Sequence, residues 1–241
     1  MIRKALVLIL FIVGSNFQLS AQSLETFSSL VIQHYYNYPD RTTQSEYKPG
    51  FGASVGVGIN DINLKVNTLR LTMRYLYYTS QFSTLWGGLD NAQQSYWVSH
   101  DAKIKNHSLS FGVYPFNVKW FKKRFVLSIG AEIELLVGSR VEGERVYEDG
   151  IGTRNRFDLS SEKINNGAHV SAVAQLEYRW DLGNGWKIVP AYCTYIGLTN
   201  QFGGAYMGVA PKPIKHLITV AVHKNLFFEK EHPKEKKIDN I

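Results

Sequence analysis

The 241-residue chain has a single cysteine, Cys193. It can close no intramolecular disulfide, and its place within an alternating stretch marks it as a small packed side chain rather than a nucleophile. Long apolar runs are also missing. The longest, Ala5–Gly14, falls short of the roughly 18 residues that a membrane-spanning helix needs. Helical spanning is excluded, whereas spanning by strands, whose signal is weak and alternating, is not. No block of Lys and Arg precedes the C-terminal tail, which argues against a nucleic-acid partner. Zinc spacings, phosphate-binding loops and acids paired in a credible cleft are absent, so neither a metal nor a cofactor is expected.

The N-terminus carries the first positive signal. Arg3 and Lys4 precede the apolar run, and a short polar stretch ends at Ala21. A basic region, an apolar region and a small residue at the cut make residues 1–21 a cleavable signal peptide. Losing Arg3 and Lys4 with the leader would lower the net charge from +7 to +5. The remaining 22–228 reads as one domain, followed by a mixed-charge tail at 229–241.

Within that domain hydrophobicity alternates with a period of two. Phe125, Leu127, Ile129, Ala131, Ile133, Leu135 and Val137 share one face of a strand. The other face carries Ser128, Gly130, Glu132, Glu134 and Gly138. Similar patterns predict eight strands, at about Thr26–Tyr36, Gly50–Ile59, Thr68–Ser80, Ile104–Tyr114, Phe125–Arg140, His169–Trp180, Trp186–Leu198 and Ile214–Phe228. The first is the least regular. The connections alternate: Asn60–Asn67, Pro115–Lys122 and Asp181–Gly185 are short, while Asn37–Pro49, Gln81–Lys103, Val141–Asn166 and Thr199–Pro213 are long. With strands running up and down, the short turns fall at one end and the long loops at the other. Phe116, Trp120, Phe121, Phe125, Trp180, Trp186, Phe227 and Phe228 would ring the short-turn end, and Tyr35, Tyr36, Phe51, Tyr77, Tyr78 and Phe82 the other, as two interfacial belts.

These features together predict an all-β chain: an eight-stranded antiparallel up-and-down transmembrane β-barrel with short periplasmic turns and long extracellular loops. The leader, the eight alternating strands and a last strand carrying Ile218, Val220, Val222, Leu226 and Phe228 resemble the small outer-membrane β-barrel domain proteins of Bacteroidetes-type bacteria. The resemblance implies an outer-membrane protein surrounded by lipid and lipopolysaccharide, inserted through its last strand by the barrel-insertion machinery and meeting any extracellular partner through its loops. Lys224 breaks the outward row, and the chain runs on past Phe228, where many such barrels end.

In a barrel the polar faces converge. Arg70, Arg74, Glu132, Glu134, Glu177 and Arg179 would form a charge network filling the lumen, with Arg74 pairing with Glu132 or Glu134. The small residues Gly52, Ser54, Gly56, Gly58, Ser110 and Gly112 would make room for the arginines. No catalytic role is expected. The alternative, a lipid A acyl hydrolase, would rest on His169 and Ser171, whose i, i+2 spacing puts both on one face. Ala172 stands where that family has Asn, and Glu177 lies about 20 Å along the strand from His169. A soluble periplasmic ligand-binding barrel is the second alternative. It would turn the apolar rows inward.

Overall fold

The computed structural model describes residues 23–36, 43–64, 67–89, 92–160, 167–201 and 212–226. The expected leader and tail lie outside the described residues, as do Phe227 and Phe228. The strands in chain order are β1 (Ser23–Tyr36), β2 (Thr43–Lys48), β3 (Gly50–Leu64), β4 (Asn67–Leu89), β5 (Ser95–Trp120), β6 (Phe125–Asp149), β7 (Arg154–Asp158), β8 (Ala168–Tyr178), β9 (Trp180–Gly183), β10 (Trp186–Gly197) and β11 (Lys212–Asn225). Eight of them form a ring in the order β1-β3-β4-β5-β6-β8-β10-β11, closed by the pairing of β11 with β1. Every pairing is antiparallel. This is the expected eight-stranded up-and-down barrel. Closure leaves no sheet edge within the ring.

The alternation is oriented as in a transmembrane barrel. On β6, Ile133 is 50% exposed while its neighbours Glu132 and Glu134 are 3% and 6% exposed. Leu30, Val55, Met73, Phe111, Leu176, Tyr192 and Val220 likewise face outward from seven other positions around the ring. A soluble barrel buries such a row, so the inward-turned alternative is not the one built.

The strands outrun their expected lengths. Gln81–Lys103, read as a loop, is a hairpin of β4 and β5 that pairs as far as Leu89 and Ser95. Much of Val141–Asn166 is the end of β6 with β7 folded back on it. Above the ring, β2, β4, β5, β6 and β7 form an open sheet. These extensions were hidden because the alternation reverses instead of stopping. Outward on β5 are Val113, Phe111 and Leu109, then His107, then Lys105, Lys103 and Asp101. Inward are Gly112, Ser110, Ser108 and Asn106, then Ile104 and Ala102. β4 reverses at the same level: Tyr75 and Tyr77 face outward, then Thr79, Gln81 and Ser83, and Tyr77 pairs with His107. Below this level the wall is greasy outside and polar inside. Above it, the wall is like that of a water-soluble sheet.

The short-turn end is compact. Asn184 (φ 51°) and Gly185 (φ 76°) make the two-residue turn that Asn-Gly favours. Most of Asn60–Asn67 is strand: β3 passes through a bulge at Asp61 (φ 56°) and continues to Leu64, and β4 begins at Asn67. Pro190 sits in β10 where β8 and β9 are separated by Arg179. A proline has no N–H to give across to that neighbour; on the other side of the strand the Arg179 N–H donates to the Arg124 carbonyl (2.7 Å).

The aromatic belts need one correction. Tyr35, Tyr78 and Phe82 are buried inside, each one residue out of step with the outward row. The belt at the reversal consists of Tyr36, Phe51, Tyr75, Tyr77 and Tyr192, with His107 and His216 accepting or donating hydrogen bonds at 2.6 Å to Tyr75 and Tyr192. At the other end Phe125 stacks on Trp120 and meets Phe121 and Tyr178 edge-on.

Candidate functional site

The lumen holds all six expected charged residues, buried. The lower layer is a balanced network. Arg70 donates to both oxygens of Glu25 (2.9 Å each) and also to Glu177. Glu177 also accepts from Gln175 (2.7 Å) and from Arg179 (3.2 Å). Arg179 reaches Asp61 (3.2 Å), which accepts from Lys119 as well (2.5 Å). Asn60 donates to Glu25 (2.8 Å), and His223 Nε2 lies 2.9 Å from the same carboxylate. Three carboxylates thus meet three cations; Arg70, Glu25 and Glu177 are out of water and Asp61 and Lys119 partly so, and pairing is the condition under which buried charge is tolerated. The β3 bulge matters here, since it lets Asn60 and Asp61, adjacent in sequence, both serve the lumen.

The expected pairing of Arg74 with Glu132 or Glu134 is not made. The Arg74 guanidinium lies over the rings of Phe27 (4.7 Å) and Tyr195 (5.6 Å) instead. Glu132 accepts from the Tyr114 hydroxyl (3.2 Å). Glu134 is held by Lys215, Tyr78 (2.7 Å) and Ser108 (2.8 Å). Lys215 supplies the cation that the sequence reading assigned to Arg74. The small residues also act differently from expectation. A Cβ on Gly56 would lie 2.4 Å from the Phe27 ring, and one on Gly58 would lie 2.2 Å from Glu25 Oε1. They make room for Phe27 and Glu25 rather than directly for arginine.

Glu25, Asp61, Lys119, Lys215 and His223 were missed. Glu25 and Lys119 lay outside the expected strands, and Asp61 lay in what looked like a turn. Lys215 and His223 could have been found, because both have the parity opposite to the greasy row Ile218, Val220 and Val222. Between the charged layers sit Val31, Leu76, Tyr114, Val173, Cys193, Tyr195 and Leu217. Cys193 is fully buried, as its strand position suggested. Above them Tyr35, Phe82, Ala102, Ile104, Val141 and Leu159 form an apolar cap.

His169 and Ser171 both point inward and are buried. Across the sheet they are in register with Glu134 and Glu132. No hydrogen bond joins His169 to Ser171 among the described residues, and Glu177 is occupied by two arginines. A nucleophile–base–acid relay is therefore not assembled. Among the described residues, no group of three or more His, Cys, Asp or Glu is placed to hold a metal ion.

The second feature lies above the polarity reversal. On the inner face of the extension, Trp86, Tyr96, Val98, Arg145, Tyr147 and Phe157 line a cavity of about 410 Å³. All six lie in the long connections Gln81–Lys103 and Val141–Asn166, the loops through which an extracellular partner was expected to be met. At the β6–β7 tip, the Asp149 carboxylate accepts from the N–H groups of Thr153 (2.7 Å) and Ile151 (3.1 Å). The Thr153 N–H above all holds the Asp149 carboxyl below its ordinary range.

No protein-family model matches the chain, and no curated protein matches it. Several solved structures are similar in outline. Neisserial surface protein A is 9% identical, with a TM-score of 0.39, over 84% of this chain and 96% of its own. Ail, the attachment invasion locus protein of Yersinia pestis, is 8% identical, with a TM-score of 0.32, over 84% and 98%. The outer membrane protease OmpT of Escherichia coli is 8% identical, with a TM-score of 0.29, over 88% and 99%. Likeness this distant decides neither activity nor partner.

Proposed function

We propose that this chain is an integral outer-membrane protein, exported by a cleaved signal peptide, whose lumen is filled and whose role is contact at the cell surface rather than catalysis or transport. The observation that carries the reading is the polarity reversal at Tyr77 and His107. Lipid-facing residues belong below it, and a water-facing sheet belongs above it. The short turns then lie in the periplasm and the hairpin extension outside the cell, among lipopolysaccharide. The last strand, with Ile218, Val220 and Val222 facing outward, would meet the insertion machinery. Membership of the Bacteroidetes-type family belongs to the same proposal, supported by the leader and the final-strand pattern.

Fractionation of expressing cells, followed by gels of boiled and unboiled outer membrane, tests the reading. The protein should sediment with the outer membrane and migrate faster unboiled. Recovery in the soluble periplasm would overturn it. The non-enzymatic part has its own test. The lipid A mass spectrum should be unchanged by expression, and acyl loss that His169→Ala abolishes would establish the hydrolase instead.

A further inference from the structure

The two ends of the molecule arrange their charges differently. Above the polarity reversal acids and bases are mixed and paired: Lys105 with Glu142, Arg154 with Glu148, and Arg156 with Glu144. At the short-turn end the acids are held inside and the bases stand outside. Glu25 and Glu177 are buried, and Asp61 is engaged by Lys119 and Arg179. Among the described residues this leaves Asp181 as the exposed carboxylate there, and it accepts from the Gly183 N–H of its own hairpin (2.9 Å). Beyond Lys119, the bases that reach water at this end are Lys122, Lys123, Arg124, Lys187 and Lys224. The tail 229–241, with four acids and four lysines, brings no net side-chain charge to offset them.

Two of these bases are already engaged. Lys224 donates to the Asn184 carbonyl (2.8 Å) and stands over the Trp186 ring, and Lys187 lies in register with Asp181. The turn between β5 and β6 is different. Lys122, Lys123 and Arg124 are consecutive and exposed, and among the described residues no carboxylate is paired with any of them. Phe121, Lys122 and Lys123 have φ of 48°, 55° and 64°, a left-handed region that residues with a Cβ disfavour. Glycine would make this turn more easily, so the side chains rather than the backbone account for the residues found there. The neighbouring aromatics fix the level of the turn. Phe121 is 73% exposed, Trp180 65% and Trp186 44%. Exposed rings of this kind mark the depth where acyl chains give way to headgroups.

We propose that the β5–β6 turn binds the headgroup of an anionic phospholipid in the leaflet that meets the short turns. Three adjacent cations without a carboxylate of their own suit an anion, and at the depth of the aromatic belt that anion is a lipid phosphodiester. Ammonium and guanidinium groups donate to its oxygens in charge-assisted hydrogen bonds, while Phe121 and Trp180 lie against the acyl chains. The long-loop end, whose charges pair among themselves, lacks this preference. The proposal rests on the outer-membrane reading, which puts the short turns at the periplasmic leaflet.

The test uses the full-length protein carrying Trp86→Phe and Trp97→Phe, refolded into phosphatidylcholine vesicles, so that fluorescence comes from Trp120, Trp180 and Trp186 at the short-turn end. Brominated phosphatidylglycerol or brominated phosphatidylcholine is mixed in, and the quenching of these tryptophans gives the relative affinity of the two lipids for that end. A preference of about tenfold for phosphatidylglycerol is expected, falling toward none as salt is raised. Combining Lys122→Gln, Lys123→Gln and Arg124→Gln should abolish the preference. Combining Lys48→Gln and Lys103→Gln, in the long-loop half, should leave it in place. Heat-modifiable migration of each variant shows that it has folded. Equal quenching by the two lipids overturns the proposal and leaves the membrane reading standing, whereas quenching by neither overturns both. A preference that survives the triple substitution also overturns the proposal. So does equal quenching accompanied by cosedimentation with purified peptidoglycan that the triple substitution removes, which would make the occupant the cell wall.

Discussion

Glu177 receives Arg70 on one oxygen and Arg179 on the other. Removing a carboxylate from such a site strands cations that water cannot reach. Glu177→Ala should therefore cost about 3–5 kcal/mol in reversible urea unfolding from detergent. Among the described residues Glu132 accepts from one phenol at 3.2 Å, so Glu132→Gln, which keeps an acceptor, should cost about 1 kcal/mol or less. If the two variants lose equal stability, the lumen network has been assigned to the wrong residues. At the β6–β7 tip the Asp149 carboxyl has a lowered pKa in the folded hairpin, chiefly through the Thr153 N–H. Its contribution to hairpin stability is thus complete above the ordinary carboxylate range, near 3.9, and is lost as pH falls through the folded value. The protection of the Thr153 amide, its intrinsic exchange rate at each pH divided by the observed rate, should fall on acidification in the native protein and stay flat over the same window in Asp149→Asn. The inward charges on β4, β6 and β8 were legible in the sequence because each stands in a strictly alternating run. Their partners were not, because a pairing depends on stagger around the ring. Arg74 could not be seen to lie against Phe27 and Tyr195 when the first strand was itself the least regular.

At the scale of elements, the greasy row and the turns carry separate weights. Ile133 faces outward at mid-strand, so Ile133→Arg should destabilise the barrel by about 2–4 kcal/mol in bilayers. Lys103→Glu, on the same outer wall but above the reversal, should change it by less than about 0.5 kcal/mol. Unfolding titrations in lipid vesicles compare the two directly. At the Asn184-Gly185 turn, Gly185 has φ 76°, which a Cβ resists. Gly185→Ala should cost about 1 kcal/mol or more by the same titration. The eight ring strands were legible because a period of two with one greasy side is unambiguous over five or more residues. The hairpin extensions were not. Beyond His107 the apolar residues move to the inner face, so a reading that followed the outward row ended there and named the remainder loop.

For the whole molecule, the layers explain why a ring of eight strands is filled rather than open. Charged, aromatic and apolar levels succeed one another from the short-turn end to the cap of Tyr35, Phe82, Ile104 and Leu159. Planar-bilayer recordings should show no steady conductance, and a stable open channel would contradict the filled lumen. The architecture was readable from the strand phases and the long-short rhythm of connections. The tip cavity was not, since Trp86, Tyr96, Arg145 and Phe157 come together only after two supposed loops fold as strands.

The central claim is that the apolar wall faces lipid up to Tyr77 and His107. Spin labels placed singly at Ile133, His107 and Lys103 on a Cys193→Ala background, in vesicles, measure this through collisions with lipid-soluble oxygen and with a water-soluble nickel complex. Oxygen should dominate at position 133, the nickel complex at position 103, and the crossover should fall at 107. A label at 133 reached freely by the nickel complex would contradict the claim.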